Sequence, residues 1–391
     1  VLGVRLYVAV FGSGLGHAAR MCEVVEVLRG RMGVEVLFSA SGDAVGYLRA
    51  HGEQLVEVPV VDAAWAKTGS LTLKGSVRSA PWGLGRFGLQ VARELDHMGR
   101  FRPRLVLSDS RLSATLAARL RGVEVLTVLN QIRVLLSVVR RPVVRFLEFV
   151  DGEVLGLGWA LSRSILVPDL PPPYTISHLN LWGTYATRRK VRYVGLIAPM
   201  KRPAPERVEK VRRALEIPQD RPFIYAPISG PRPTKMPFVR ALLRLLTERV
   251  DGFTYVVSAG LADGSKTPVR LKGGWYYEWC PVRDELFSLA DLVIIRGGLT
   301  TISQALCWGK PSLLVPIPGH TEQTGNARKV DALGAGVYLD PYHFSRAAFL
   351  EALDRAMGEE VRQGAERMSR VVSHCNGVET IARMVEEYLR A

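Results

Sequence analysis

Short apolar, β-branched runs alternate along the chain with stretches of helical period. "VRLYVAVF" (4–11) leads into a glycine turn and the helix-like "HAARMCEVVEVLRGR" (17–31), then the strand-like "VEVLFSA" (34–40), a further helix and "QLVEVPV" (54–60). "PRLVLSDS" (103–110) and "GVEVLTVLN" (122–130) flank the helix-like "SATLAARLRG" (113–122). A second series follows: "PFIYAPIS" (222–229), "FTYVVSAG" (253–260), "DLVIIRGG" (291–298), "PSLLVPIP" (311–318) and "GVYLD" (336–340), with helices between. Such alternation requires parallel sheets covered on both faces. It predicts two doubly wound, Rossmann-like α/β domains that present the carboxyl edges of their strands to a shared cleft. The Pro- and charge-rich stretch 195–210 reads as a linker between a domain at 1–197 and one at 198–375. "GVETIARMVEEYL" (377–389), apolar at 378, 381, 382, 385 and 389, predicts an amphipathic helix in a tail, 376–391, that packs back on the first domain. Residues 60–100 and 168–192 show no clear period, and "VPDLPPPY" (167–174) reads as loop.

Composition narrows the class. With 391 residues, 48% of them hydrophobic, the chain can bury two cores. No apolar run reaches the roughly 18 residues that span a bilayer; 123–139 is interrupted by Glu124, Gln131 and Arg133. "VLGVRLYVAVFGSG" reads as a strand and turn, not as a signal peptide. Cys22, Cys280, Cys307 and Cys375 are scattered, which suggests neither a disulfide framework nor a zinc site and points to the cytoplasm.

The net charge of +15 is uneven: residues 100–145 hold ten Arg against Asp109 and Glu124. Two readings stand side by side. One is a solvated Arg-rich face of the kind thermophiles carry; the other is a surface for an anionic partner. Within it, "IRVLLSVVRRPVVRFLEF" (132–149) mixes Arg with apolar residues, as a segment lying on an anionic membrane would, or as a core helix with a basic face broken at Pro142. No nucleic-acid stacking motif is present.

The glycine turn "FGSGLGH" (11–17) lets backbone approach a ligand through Gly12, Gly14 and Gly16. It is not a dinucleotide fingerprint: His17 replaces the third glycine, and the second strand ends without an acidic residue. His17 at the mouth of this turn suits a general base. Asp109 ends a strand of the same sheet, where its carboxylate can bond the far ring nitrogen and fix the tautomer. At 296–309, "RGGLTTISQALCWG", Arg296, Gly297, Gly298, Thr300 and Thr301 gather charge, naked backbone and hydroxyls at a helix start, a combination suited to a diphosphate. Gln304 is one turn on, within reach of sugar hydroxyls, and Ser229–Gly230 form a second glycine turn for the other side of the diphosphate.

Segment 279–338 carries W-C-P, G-G-x-x-T-x-x-(E/Q)-A-L, G-K-P, P-x-x-x-x-(D/E)-Q-x-x-N-A and G-x-G in order. It resembles the donor-binding signature of UDP-dependent glycosyltransferases of the GT-B fold. The likeness covers the plant and animal UDP-glycosyltransferases and the bacterial enzyme that adds N-acetylglucosamine to the lipid-linked peptidoglycan precursor. The turn G-S-G-x-G-H and the S-D of "VLSD" extend it into the first domain. The resemblance implies that Trp279 stacks on uracil while the backbone at Cys280–Val282 reads its edge. It gives Gln304 the ribose hydroxyls, Arg296, Gly297, Gly298, Thr300, Thr301, Ser229 and Gly230 the diphosphate, and Glu322 and Gln323 the donor sugar, with Asn326 supporting their loop. His17, backed by Asp109, would activate an acceptor hydroxyl for inverting attack. The family uses no cofactor or metal ion, and no D-x-D occurs in this chain. Gln304 departs from the family's Glu, which keeps a thymidine-type donor open; Arg296 matches the bacterial enzyme where plant members carry His.

The implied function is a metal-independent, inverting hexosyltransferase acting from a UDP-sugar, UDP-N-acetylglucosamine or UDP-glucose, on an anionic or lipid-linked acceptor. A sugar-nucleotide epimerase of the same fold and a donor-binding subunit without chemistry of its own are the alternatives.

Overall fold

In the strand β1 (Val4–Val10), Leu6, Val8 and Val10 join one core and Tyr7 and Ala9 another, all fully buried. A strand apolar on both faces belongs inside a doubly covered sheet. The computed structural model places it there; residues 4–12, 15–61, 73–133, 135, 142–181, 184–198, 202–248, 252–261 and 263–390 are described. The chain continues through α1 (Gly16–Arg31), β2 (Val34–Ala40), α2 (Asp43–Ala50), β3 (Leu55–Glu57), α3 (Leu73–Phe101), β4 (Leu105–Asp109), α4 (Leu112–Leu120), β5 (Glu124–Val128), α5 (Pro142–Trp159), β6 (Ser164–Val167) and β7 (Val191–Tyr193). These strands form one parallel sheet in the order β3-β2-β1-β4-β5-β6-β7. On one face lies α1, whose Ala18, Met21, Val24, Val25 and Leu28 recur at helical spacing and are all buried. On the other, Val91 and Met98 of α3 and Ala114, Ala117 and Ala118 of α4 cover Tyr7, Ala9 and Val106.

The second series begins with α6 (Pro205–Ala214), β8 (Phe223–Pro227), α7 (Arg232–Glu248), β9 (Thr254–Ser258), β10 (Val269–Leu271), β11 (Gly274–Tyr277) and α8 (Arg283–Leu289). It goes on with β12 (Leu292–Ile295), α9 (Leu299–Cys307), β13 (Ser312–Leu314), α10 (Thr321–Ala332), β14 (Gly336–Tyr338), α11 (Arg346–Ala356), α12 (Glu359–Ser373) and α13 (Gly377–Arg390). Its sheet runs β10-β11-β9-β8-β12-β13-β14, parallel except for the β10–β11 pair. Val239, Leu242 and Leu246 of α7 and Phe349 and Leu353 of α11 pack on Ile224, Ala226, Val257 and Ile294.

The chain divides into two compact units, Val1–Ile197 with Cys375–Ala391, and Ala198–His374. Cys375, placed by the sequence with the second domain, belongs to the first unit. Helix α13 lies in the first unit, and its Ile381, Ala382, Val385 and Leu389 enter the core of β1 and α1. The Gly377 amide donates to the Leu196 carbonyl at 3.1 Å and so ties the helix start to the end of that unit.

Three stretches that the periodicity left unread or that charge left open have physical explanations. Helix α3 forms despite Pro81, Gly83, Gly85 and Gly88 because its later turns pack on α4 and the sheet, overriding weak propensity. The Pro-rich loop is closed by Asp169, whose carboxylate accepts the amides of Leu170, Ile176 and Ser177 at 2.7, 3.0 and 2.7 Å. The arginines of 100–145 are not one open face. Arg111 is buried with Glu94, and Arg100, Arg119 and Arg133 pair with Asp96, Glu124 and Glu153. Arg140 and Arg141 lie outside the described residues. Among those residues no helix is long and apolar enough to cross a membrane.

The seating of α13 has a measurable consequence. Ile381→Ala should lower stability by about 2–5 kcal/mol in denaturant unfolding, whereas Glu387→Ala, on the exposed face, should stay within about 0.5 kcal/mol of the parent.

Candidate functional site

In a doubly wound sheet the loops at the point where strand order reverses form a ready crevice. In the first unit that point lies between β1 and β4, whose register pairs Val10 with Asp109. The Phe11 amide extends the ladder to the Asp109 carbonyl at 3.1 Å. The turn that follows delivers His17, on the first turn of α1, to the same edge. Its Nδ1 stands 2.9 Å from Asp109 Oδ1, with Asp109 fully buried and the His17 side chain 22% exposed. The Phe11 ring meets the imidazole edge-on at 5.5 Å. Since a carboxylate only accepts, the network assigns the ring proton to Nδ1 and leaves the lone pair on Nε2. Of the glycines in this turn, Gly12 accepts the Asp43 amide at 3.0 Å, Gly16 opens α1, and Gly14 lies outside the described residues.

A residue that sequence reasoning missed completes the group. Arg20, 4% exposed, donates from Nε to Asp109 Oδ2 at 2.6 Å and from Nη2 to Oδ1. Its Nη2 lies 3.0 Å from His17 Nδ1. Burial alone would push the Asp109 carboxyl up. The charges of Arg20 and His17 and their hydrogen bonds outweigh that and hold it well below the usual carboxylate range. The signal was present: Arg20 follows His17 by one helical turn, so both project from one face.

The second unit reverses between β8 and β12. Beyond β12, Arg296 is 1% exposed, its guanidinium 4.4 Å from the Phe238 ring. Nη1 reaches the Thr234 carbonyl at 3.5 Å, while Nε has no partner. No carboxylate pairs with it among the described residues, and burial pulls it down to about 10. An unmatched buried cation costs several kcal/mol, on the order of a broken ion pair. Gly297 adopts φ +86°, and a Cβ there would fall 2.7 Å from the Gln323 carbonyl, so only glycine lets these backbones approach so closely. The Gly297 carbonyl accepts from Asn326 Nδ2 at 3.2 Å. Gly298 caps α9 without a side-chain bond; its carbonyl accepts the Thr301 and Ile302 amides at 3.1 Å, which leaves the Leu299 and Thr300 amides without carbonyl partners inside the helix. Gly230, φ +116°, faces Ile317, whose amide donates to Gln323 Oε1 at 3.0 Å.

The fold thus brings Gly230, Arg296, Gly297, Gly298, Gln323 and Asn326 to one corner. Ser229 immediately precedes Gly230, and half-buried Thr300, Thr301 and Glu322 occupy the first turns of α9 and α10. Gln304 is buried inside α9. Half-buried Trp279 follows β11 at the same carboxyl edge, separated from β12 by β9 and β8 in the sheet order. Its amide donates to Ser265 at 3.0 Å. Burial pushes the neighbouring Cys280 thiol up to about 11, and Val282 caps α8. Two further residues escaped the sequence reading. Lys235, 6% exposed, reaches the Gly260 carbonyl at 3.0 Å beside the Gly230 turn. His320 caps α10 by accepting the Gln323 amide at Nδ1.

Residues 254–382 match the Glycosyltransferase family 28 C-terminal domain. The chain is 28% identical over 390 residues to an "Uncharacterized glycosyltransferase" of Methanosarcina acetivorans, covering 98% of both. It is 25% identical over 327 residues to the UDP-N-acetylglucosamine–N-acetylmuramyl-(pentapeptide) pyrophosphoryl-undecaprenol N-acetylglucosamine transferase of Desulforudis audaxviator, covering 77% of this chain and 78% of that one. Among solved structures, Spinosyn Rhamnosyltransferase SpnG matches with TM-score 0.70 at 18% identity, over 98% of this chain and 100% of its own. At that identity the likeness is one of fold.

His320 gives this corner a pH signature. Burial, reinforced by the Arg296 charge, pulls its imidazole from 6.5 down to about 4. In that window the unfolded chain binds a proton that the folded chain refuses. The stability present above the unfolded value is therefore lost as pH falls towards the folded one. His320→Asn keeps a capping acceptor without the titration. Its denaturant midpoint should fall less between pH 7 and pH 5 than the parent's; an equal fall would clear His320.

Proposed function

We propose a donor, an acceptor chemistry and a mechanism for this chain, which belongs to the GT-B glycosyltransferase superfamily and is a transferase. It moves a sugar from a UDP-sugar, UDP-N-acetylglucosamine or UDP-glucose being favoured, to an acceptor hydroxyl with inversion and without a metal ion. His17 takes the acceptor's proton at Nε2 while Asp109 holds the ring through Nδ1. The acceptor oxygen bonds to the anomeric carbon as the bond to UDP breaks on the opposite face. Charge gathering on the departing diphosphate is met by Arg296, the amides from Gly297 and Gly298 into α9, and the hydroxyls of Thr300 and Thr301, with Ser229 and Gly230 opposite. Trp279, Cys280, Val282 and Gln304 take the nucleoside, and Glu322 and Gln323 the sugar, with Asn326 bracing the turn. Gly12, Gly14 and Gly16 form the acceptor-side loop.

The observation that carries this reading is the 2.9 Å contact between His17 and buried Asp109. A subunit that only held a nucleotide sugar would gain nothing from an imidazole oriented in this way. Buried, carboxylate-free Arg296 supports the diphosphate assignment, since an anionic ligand supplies the charge the protein omits. Gln304 offers a neutral acceptor, and SpnG was also solved complexed with thymidine diphosphate, so thymidine-type donors belong in the same panel.

A specific surface supports a lipid-linked acceptor. Val143, Phe146, Leu147, Val150, Val154 and Leu157 recur along one side of α5 and are 39–71% exposed. An exposed apolar stripe of this kind, with Arg145 beside it, suits the boundary of an anionic membrane.

Two experiments test these points. Cleavage of the donor identified by a thermal-shift panel should fall about 10²–10⁴-fold in His17→Ala with donor binding retained, while Arg296→Met should lose the nucleotide-induced thermal shift. Epimerised donor in place of transfer would overturn the reading. The chain should sediment with anionic liposomes at low salt and less at high salt; negligible pelleting in both would remove the lipid surface.

A further inference from the structure

We infer that Arg20 is a positioning residue that sets the protonation of the base: it shares the Asp109 carboxylate with His17 and so keeps a cation beside the imidazole. The inference rests on the reading of His17 as the base.

A buried Arg–Asp pair often does no more than fasten a helix to a sheet, and Arg20 does fasten α1 to β4. The geometry asks for more. The guanidinium fork occupies both carboxylate oxygens, and Oδ1 also takes the Nδ1–H of His17. Two donors on one oxygen bring Nη2 to 3.0 Å from Nδ1. In a dyad of imidazole and carboxylate alone, the anion favours the imidazolium, so the base tends to be protonated already when the acceptor arrives. Here the permanent guanidinium charge offsets that pull. Asp109 then orients the ring while sharing its charge with Arg20.

The hydrogen bonds around Asp109 define this balance. Asp109 faces His17 from β4, and Arg20 from its own helix. Ser110 Oγ adds a hydrogen bond to Oδ1 at 3.2 Å, and Phe11 contributes only a ring edge. Arg111 and Glu94 lie on the α3 side of the sheet. They pair with each other at 3.4 Å behind β1, where Arg111 also bonds the Val10 carbonyl.

The test is a ¹⁵N NMR titration of the histidines in the full chain, with His17 identified by its loss in His17→Gln. In Arg20→Gln the His17 midpoint should rise by about one pH unit, a tenfold change in the fraction of free base; Arg20→Lys, which keeps the charge, should stay closer to the parent. An unchanged or lower midpoint in Arg20→Gln would reduce Arg20 to a structural tie. If that variant does not fold, Asp109→Asn gives the opposite reading. With the anion gone and the cation left, the midpoint should fall by at least about one unit, and a smaller change would overturn the inference. Donor cleavage by His17→Ala separates the two ideas. A fully active His17→Ala would end the base reading even with the midpoint shifted, whereas an inactive one with unshifted midpoints would end only the role of Arg20.

Discussion

Everything in the first unit's chemistry depends on one buried carboxylate. Asp109 sits fully enclosed at the end of β4, where an isolated charge would be costly to hold. The fold meets that cost with partners from a single turn of α1, a guanidinium on both oxygens and an imidazole on one. Strand register fixes this arrangement more than local propensity does. Pairing Val10 with Asp109 brings the start of α1 to the carboxylate, and a slip of one residue would turn Asp109 to the opposite face of the sheet.

The second unit holds the complementary situation, a buried cation without an anion among the described residues. Arg296 lies against the Phe238 ring, with His320 kept neutral nearby and glycines at 230 and 297 allowing backbone to close around it. A protein interior tolerates an unmatched charge only where a ligand or strong local dipoles complete it. The same reversal of strand order that places Asp109 in one sheet places Arg296 in the other. The two sites are thus matched outcomes of one topology, one holding a buried anion shared by two cationic or polar donors and the other a buried cation.

Much of this was legible in the sequence because it depends on strand ends. Runs apolar on both faces announce parallel strands, and the residues just beyond them, His17, Asp109 and Arg296, must then fall at carboxyl edges. Lys235 and His320 were harder to read because a long or rotatable side chain finds its target through packing that spacing does not encode, whereas the one-turn spacing of Arg20 from His17 gave its face but not its carboxylate. Helix α3 was hidden by its proline and glycines, which tertiary contacts overrule. The arginine-rich stretch stayed open between two readings for the opposite reason: a local charge count does not register that Glu94 and Glu153, outside the stretch, pair with Arg111 and Arg133.

The most direct measurement is chemical rescue of donor cleavage in His17→Ala by added imidazole. If His17 is the base, the variant is slow and its rate climbs with imidazole concentration while the parent's does not. A variant as fast as the parent without imidazole would contradict that role.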